Sequence, residues 1–344
     1  MNANELLSLF NTMEHEEQAA FLSLLVSQEA GKEHPSHPAD SSPPSSAHRR
    51  ICPHCGHQAK ANGTTRSGRQ RFYCGNCRKS FSETTGTILQ HTLKPQSTWE
   101  KFVGCMMECR TIRDSASVCG ISVATAFRWR HKVLDSMQSI MDGVSMDGVI
   151  ECDETFFRLS FKGDHRKSSS FTMPRPPHRR GNDNHVRGIS PEQVCVSTAV
   201  TKGGLSIGKI ATTGAFKEEA VPLIYGGKIR SGSTVCTDSH KAYNHLEETL
   251  HVKHVKVDPD KHMKGKYGIQ CINSYHSRLK GMIARFHGVA TKYLNNYIVW
   301  NNFVNHAKLS ANAKRKTLLE HIAKCLCSTR NQNIPKRNPV PTVI

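Results

Sequence analysis

Gly148-Val149-Ile150-Glu151-Cys152-Asp153-Glu154-Thr155 is an apolar run that opens on glycine and ends in three carboxylates within four residues. Such a run reads as a buried strand delivering acids to its exposed end. Downstream, Gly232-Ser-Thr-Val-Cys-Thr-Asp238 repeats the form with a single aspartate. Taken singly, an aspartate at a strand end is most often a cap or turn residue. Two of them from distant parts of one chain instead fit a site for a divalent cation, because hard cations take oxygen ligands. In Asn273-Ser-Tyr-His276-Ser-Arg-Leu-Lys280 the Asn, His and Lys fall at i, i+3 and i+7, so on a helix they share one face.

Around these stretches the pattern is α/β. Phe156-Phe-Arg-Leu-Ser-Phe is expected as the antiparallel neighbour of the Asp153 strand. Val194–Val200 and Leu205–Ile210 read as two further strands, joined at Thr201-Lys-Gly-Gly by a hairpin turn. Phe216–Ile224 reads as a helix, and Thr234–Thr237 as the strand that positions Asp238. Between them, residues 162–189 are polar and basic, with Arg179 and Arg180 among the cations. A long segment without apolar rhythm predicts a mobile loop, and beside a metal site its charge predicts a clamp on a phosphate backbone.

The order Asp153, Asp238, then Asn273-x-x-His276-x-x-x-Lys280 and Arg285-Phe-His-Gly-Val-Ala-Thr-Lys-Tyr-Leu294 resembles the insertion-sequence transposases of the family numbered 1595. The resemblance implies a catalytic domain over residues 147–312 with a ribonuclease-H-like, retroviral-integrase-like mixed sheet and helices. It implies DNA strand cleavage followed by strand transfer, with two Mg²⁺ (or Mn²⁺) ions at the catalytic site. Asp153 would bridge both ions, Asp238 would bind one, His276 would complete the set, and Lys280 would hold a phosphate. The third ligand in the broad acidic-triad pattern is usually Glu, so His276 is a departure. Glu151 and Glu154 flank Asp153 and could serve instead, Glu154 as the competing third ligand, although neighbours on a strand point to opposite faces.

N-terminal to this region, Cys52-Pro-His-Cys55 and Cys74-Gly-Asn-Cys77 are paired C-x-x-C motifs at the spacing of a four-thiolate zinc site. With turn dipeptides at Asn62-Gly63 and Ser67-Gly68 they predict a zinc ribbon over residues 50–90, holding one structural Zn²⁺. His54 and His57 stand beside the knuckles as alternative ligands. Over residues 91–140 the rhythm turns helical. Ser97-Thr-Trp-Glu100 has capping-box spacing, and Thr111–Lys132 reads as helix, turn at Gly120, and a second helix capped by Ser122. That layout predicts a helix-turn-helix with Val123 and Phe127 facing inward and Thr125, Arg128, Arg130 and Lys132 facing DNA. Asn273 joins the expected DNA contacts.

The ends are plainer. Residues 1–30 read as an amphipathic helical segment, 31–49 as a proline-rich linker, and 313–344 as a solvated basic tail. Over the full 344 residues, 47 Lys+Arg against 28 Asp+Glu give +19, which favours a polyanionic partner. The expected partner is double-stranded DNA, as inverted-repeat ends and as target, bound by a homo-oligomer. Thirteen cysteines on a chain whose first residues lack a secretory signal fit a reducing cytoplasm, in association with the nucleoid. No apolar run is long enough for a membrane span. Two other function classes share parts of this pattern: a zinc-ribbon DNA-binding regulator without catalysis, and a metal-dependent nuclease.

Overall fold

In the computed structural model, residues 50–66, 68–163, 188–258, 263–306, 309–327 and 329–344 are described. The expected N-terminal helical segment, the linker, and most of the basic loop, including Arg179 and Arg180, lie outside these residues.

The first described elements are four short antiparallel strands in the order β1 (Arg50–Ile51), β2 (Gln58–Thr64), β3 (Gln70–Tyr73) and β4 (Ser80–Ser82). Their core is only Cys52, Ala59, Phe72, Cys74 and Phe81, with Phe72 and Phe81 stacked at 5.5 Å. So few apolar side chains cannot hold a fold alone, so the cysteine cluster beside them is the element that can.

Three helices follow: α1 (Gln96–Met107), α2 (Ile112–Cys119) and α3 (Val123–Asp142). The expected capping box at Ser97 and Glu100 is not formed. Pro95 precedes the first turn, where a fixed φ and a missing N–H suit a helix start, and Glu100 instead accepts from Gln96 Nε2 at 3.1 Å. The turn between α2 and α3 is as expected. Gly120 closes α2 in the left-handed region (φ 59°), where a Cβ would be strained, and the Ser122 hydroxyl accepts the Thr125 N–H at 3.1 Å to open α3.

The five-stranded sheet runs in the order β7 (Ser206–Thr213), β6 (Gln193–Thr201), β5 (Val149–Arg158), β8 (Thr234–Thr237), β9 (Lys253–Lys256). β5, β6 and β7 are antiparallel, whereas β8 is parallel to β5 and β9 to β8. One expectation fails here. Phe156–Phe161 is not a second strand, because β6 pairs with β5 without a break from Ile150 to Arg158, and Phe156–Arg158 simply continue β5. One face of the sheet packs on α4 (Ala220–Tyr225), a short 3₁₀ turn at 241–243 and α5 (Leu246–Leu250). The other face packs on α6 (Gln270–Arg285) and α7 (Thr291–Val304). Gly208 on β7 permits this approach, since a Cβ there would stand 3.0 Å from Ile298 and 3.1 Å from Thr198.

α7 is buried nearly all round. Leu294 and Ile298 meet the sheet, while Tyr297, Trp300 and Phe303 join Trp99, Phe102 and Trp129 in the helical core. Residues 91–140 therefore do not close a core by themselves. The chain from 313 onward was expected to be a solvated tail, but Ala311–Lys324 form α8, which buries Leu318 and Ile322 in that same core, and Ile334 follows them in. Arg337 then pairs with Asp135 on α3 through both carboxylate oxygens, at 2.9 and 2.7 Å. No helix of the described residues is long and apolar enough to cross a membrane.

Candidate active site

β5 has two different edges, and they decide where the acids sit. β6 covers one edge along its whole length, but β8 covers the other only from Val149 to Glu151. Asp153 is thus mid-strand on one side and past the end of its partner on the other, which refines the expectation of a strand-end acid. The last parallel pair is Glu151 with Cys236. Two residues further along stand Asp153 on β5 and, just past the end of β8, Asp238, whose charge is near enough to act on Asp153.

Alternation sends Glu151 and Asp153 to the face covered by α6, and Glu154 to the opposite face. Buried Glu151 accepts the Ile272 N–H at 2.9 Å and so ties the first turn of α6 to β5. One turn on, His276 faces Asp153, with Nδ1 3.6 Å from Asp153 Oδ2. His276 Nε2 lies 2.7 Å from the hydroxyl of Thr198, which pairs directly opposite Asp153 on β6. On the far face Glu154 accepts from the hydroxyl of Tyr243, which is fully buried.

The charges follow from these surroundings. Burial raises Asp153 from 3.8 to about 6; the neighbouring Asp238 charge adds to this, while the Glu154 backbone N–H and Lys280 oppose it. Burial likewise pushes Glu154 up to about 8, so at neutral pH it keeps its proton. His276 is lowered by burial, and then by Lys280, from 6.5 to about 4, and is neutral at pH 7. A neutral imidazole is the form that binds metal. Lys280 and Asn273 lie exposed on the same helix. Among the described residues, Asp153, Asp238 and His276 do not bring their ligand atoms all within 4.8 Å of one another. His276 thus stands against Asp153, and Asp238 is near enough for its charge to act on Asp153, without the three closing into a finished chelate.

The four cysteines are closed: Cys52, Cys55, Cys74 and Cys77 hold their sulfurs within 4.8 Å of one another, with Cys52–Cys77 at 3.6 Å and Cys55–Cys74 at 3.5 Å. Four thiolates about 2.3 Å from a tetrahedral zinc stand about 3.8 Å apart, so the cluster fits that ion closely. The His54 backbone N–H points at Cys52 Sγ at 3.4 Å. His57 turns its ring to the Cys55 carbonyl at 3.0 Å, and neither histidine belongs to the cluster.

Of the expected DNA contacts on α3, Arg128 is exposed and Thr125 and Lys132 are half-buried. Arg130 is not a DNA contact. It is fully buried, donates to the Arg110 carbonyl at 2.6 Å, and lies over the rings of Trp300 (5.0 Å) and Phe286 (5.4 Å). Val123, expected inside, is 50% exposed at the first turn of α3. A groove of about 660 Å³ between the cysteine cluster, α3 and the chain after α8 is lined by Lys132, Arg330, His54 and His91, with no carboxylate among the described residues of its wall. Thr125 and Arg128 line the adjoining hollow. Arg330, in the segment expected to be free, had no signal in the sequence beyond its charge. Nor did Thr198, whose place opposite Asp153 depends on register.

Residues 145–303 match the family described as ISXO2-like transposase domain. An uncharacterized protein in the transposable element ISH50 of Halobacterium salinarum is 22% identical over 255 residues, covering 72% of this chain and 82% of the relative. A pre-cleavage Mos1 transpososome is 9% identical, covers 68% of this chain and 82% of its own, and has a TM-score of 0.21. The Mos1 transposase paired-end complex with left transposon end is 10% identical over 69% and 82%, at 0.22. These two likenesses are too distant to fix the fold. The family match runs from the approach to β5 to the last turn of α7, and over that span the chain is similar to ISXO2-like transposase domains.

Proposed function

We propose that the protein is a DNA transposase that binds the ends of an insertion sequence and carries out metal-dependent strand cleavage and strand transfer into target DNA. The observation that carries this reading is the approach of His276 to Asp153 at 3.6 Å, with Asp238 at the end of the neighbouring parallel strand, all within the matched span. The sheet supports it too. Three antiparallel strands followed by two parallel ones, in the order β7-β6-β5-β8-β9, are the arrangement expected of a ribonuclease-H-like catalytic domain, retroviral-integrase-like in type. Among the described residues, α6 and α7 cover one face of that sheet.

Asp153, Asp238 and His276 would hold divalent metal, Mg²⁺ or Mn²⁺. Two such ions supply activation of the attacking oxygen and stabilisation of the leaving one. Asp153 and Asp238 contribute anionic oxygens from adjacent strands, and His276 contributes a neutral nitrogen from α6. Imidazole suits Mn²⁺ at least as well as Mg²⁺. Lys280, exposed one turn beyond His276 and close enough to oppose the rise in the Asp153 pKa, would hold a phosphate of the strand being cut. Glu154 is the weaker third ligand, because it lies on the other face of β5 against Tyr243.

The cysteine cluster would hold one structural Zn²⁺ in a ribbon over residues 50–90, and α2 and α3 would act as a helix-turn-helix. The acid-free groove beside them fits a phosphate backbone, with Arg128, Lys132 and Arg330 as contacts. Assembly as a homo-oligomer on DNA belongs to the same proposal.

The test is incubation of the purified full chain with a labelled DNA fragment carrying the element's inverted repeat, Mn²⁺ or Mg²⁺, and a target plasmid. Joined product is expected. Nicked product alone would identify a nuclease, and a bound, uncut fragment would identify a DNA-binding regulator.

A further inference from the structure

The hydroxyl of Thr198 makes two contacts that together determine which nitrogen of His276 carries the proton. It lies 2.9 Å from the Asp153 carbonyl oxygen and 2.7 Å from His276 Nε2. A carbonyl only accepts, so the single hydroxyl proton points to Asp153. What the hydroxyl then offers His276 is a lone pair, and Nε2 must be the protonated nitrogen. In the neutral ring Nδ1 is left bare, and it is Nδ1 that faces Asp153 Oδ2 at 3.6 Å. With Asp153 ionised, as at pH 7.5, these two lone-pair atoms repel unless a cation lies between them. Ligand atoms about 2.1 Å from one shared ion can stand up to about 4.2 Å apart, so the gap fits a divalent metal.

We propose that Thr198 is a positioning residue of the catalytic centre: it fixes His276 as the Nε2–H tautomer, turns Nδ1 toward Asp153, and makes Nδ1 the metal-binding atom. This rests on the metal reading given above, but the tautomer itself does not. The arrangement is economical, because Thr198 stands directly opposite Asp153 in the β5–β6 ladder. One hydroxyl thus ties the backbone of the first acid to the ring of the third ligand. Valine at this position would keep the shape and β-branching while removing both bonds. Serine would keep both.

The experiment uses the metal-free full chain labelled with ¹⁵N-histidine, in wild-type, Thr198→Val and Thr198→Ser forms, with His276→Gln to assign the signal. Long-range ¹H–¹⁵N correlation at pH 7.5 reads the tautomer, and Mn²⁺ titration reads the affinity. Wild type and Thr198→Ser are expected to show the Nε2–H form. Thr198→Val is expected to lose it, to a mixture or to the Nδ1–H form, and to bind Mn²⁺ at least about tenfold more weakly, the range for loss of a group that orients a ligand. A Thr198→Val protein that keeps the Nε2–H form would overturn the proposal, as would a wild type protonated on Nδ1. A tautomer change in Thr198→Val, with no Mn²⁺ bound by any variant, would uphold Thr198 as the tautomer-setting residue and overturn Nδ1 as a metal-binding atom together with the metal reading.

Discussion

Glu151 and Ile272 are joined by a buried hydrogen bond, the carboxylate of one accepting the backbone N–H of the other at 2.9 Å. The first belongs to the strand that carries Asp153 and the second to the first turn of the helix that carries His276. A carboxylate at a helix N-terminus satisfies an orphan N–H and meets the positive end of the helix dipole. The bond therefore sets the distance between the two halves of the candidate site.

Removing it has a double consequence. Glu151→Ala leaves a buried N–H without a partner and is expected to destabilise the chain by about 2–3 kcal/mol. Glu151→Gln keeps an acceptor and loses roughly half as much. Urea unfolding measures both. Equal midpoints for wild type and Glu151→Ala would show that the bond does not fasten α6.

Arg128 and Arg130 sit two residues apart and predict opposite phenotypes. Arg130→Ala opens a hole against Trp300 and Phe286 and strands the Arg110 carbonyl, with an expected loss of about 3 kcal/mol. Arg128→Ala leaves the melting temperature unchanged while weakening DNA binding and flattening its salt dependence. A stable Arg130→Ala protein with impaired DNA binding would reverse the assignment.

The cysteine cluster predicts one zinc per chain in the purified protein. Elemental analysis of wild type and of a Cys74→Ser, Cys77→Ser variant checks it, with the metal expected in the first and absent from the second. Zinc retained by the variant would place it elsewhere.

How much of this was legible in the sequence depends on where the deciding contacts come from. The Asp153 stretch declared itself, because an apolar run ending in acids is a local pattern. His276 did so through its spacing from Asn273 and Lys280, and the cysteines through theirs. Arg130 did not. In a run of Arg, His and Lys it reads as one more DNA-facing cation, and its burial is set by aromatic rings far along the chain. α8 was missed for the same reason: Leu318 and Ile322 are a thin stripe on a basic helix, and the core they enter is built with α1 and α3, far back in the chain. Thr198 carries no motif at all, and its role exists only once β5 and β6 are in register.

Glu154 predicts a pH effect in the metal-free protein. Its folded pKa is raised from 4.5 to about 8 by burial, so the folded state holds a proton that the unfolded state releases. Stability is fully present below about 4.5 and is lost as pH rises toward about 8. Asp153 acts in the same sense between 3.8 and about 6, and His276 in the opposite sense between about 4 and 6.5. Above 6.5 Glu154 alone of the three is still changing. Between pH 6.5 and 8 the wild type is expected to lose about 2 kcal/mol relative to Glu154→Gln. Parallel urea midpoints over that range would mean that Glu154 is already ionised.

The placement of metal on Asp153, Asp238 and His276 is tested most directly by anomalous diffraction at the manganese edge, from crystals of the full chain soaked in MnCl₂. The account predicts a peak between Asp153 and Asp238, with His276 Nδ1 within bonding distance of it, and none beside Tyr243. Manganese bound by Asp153 and Glu154 with His276 turned away, or no peak beside Asp153 at a concentration that supports strand cleavage, would contradict it.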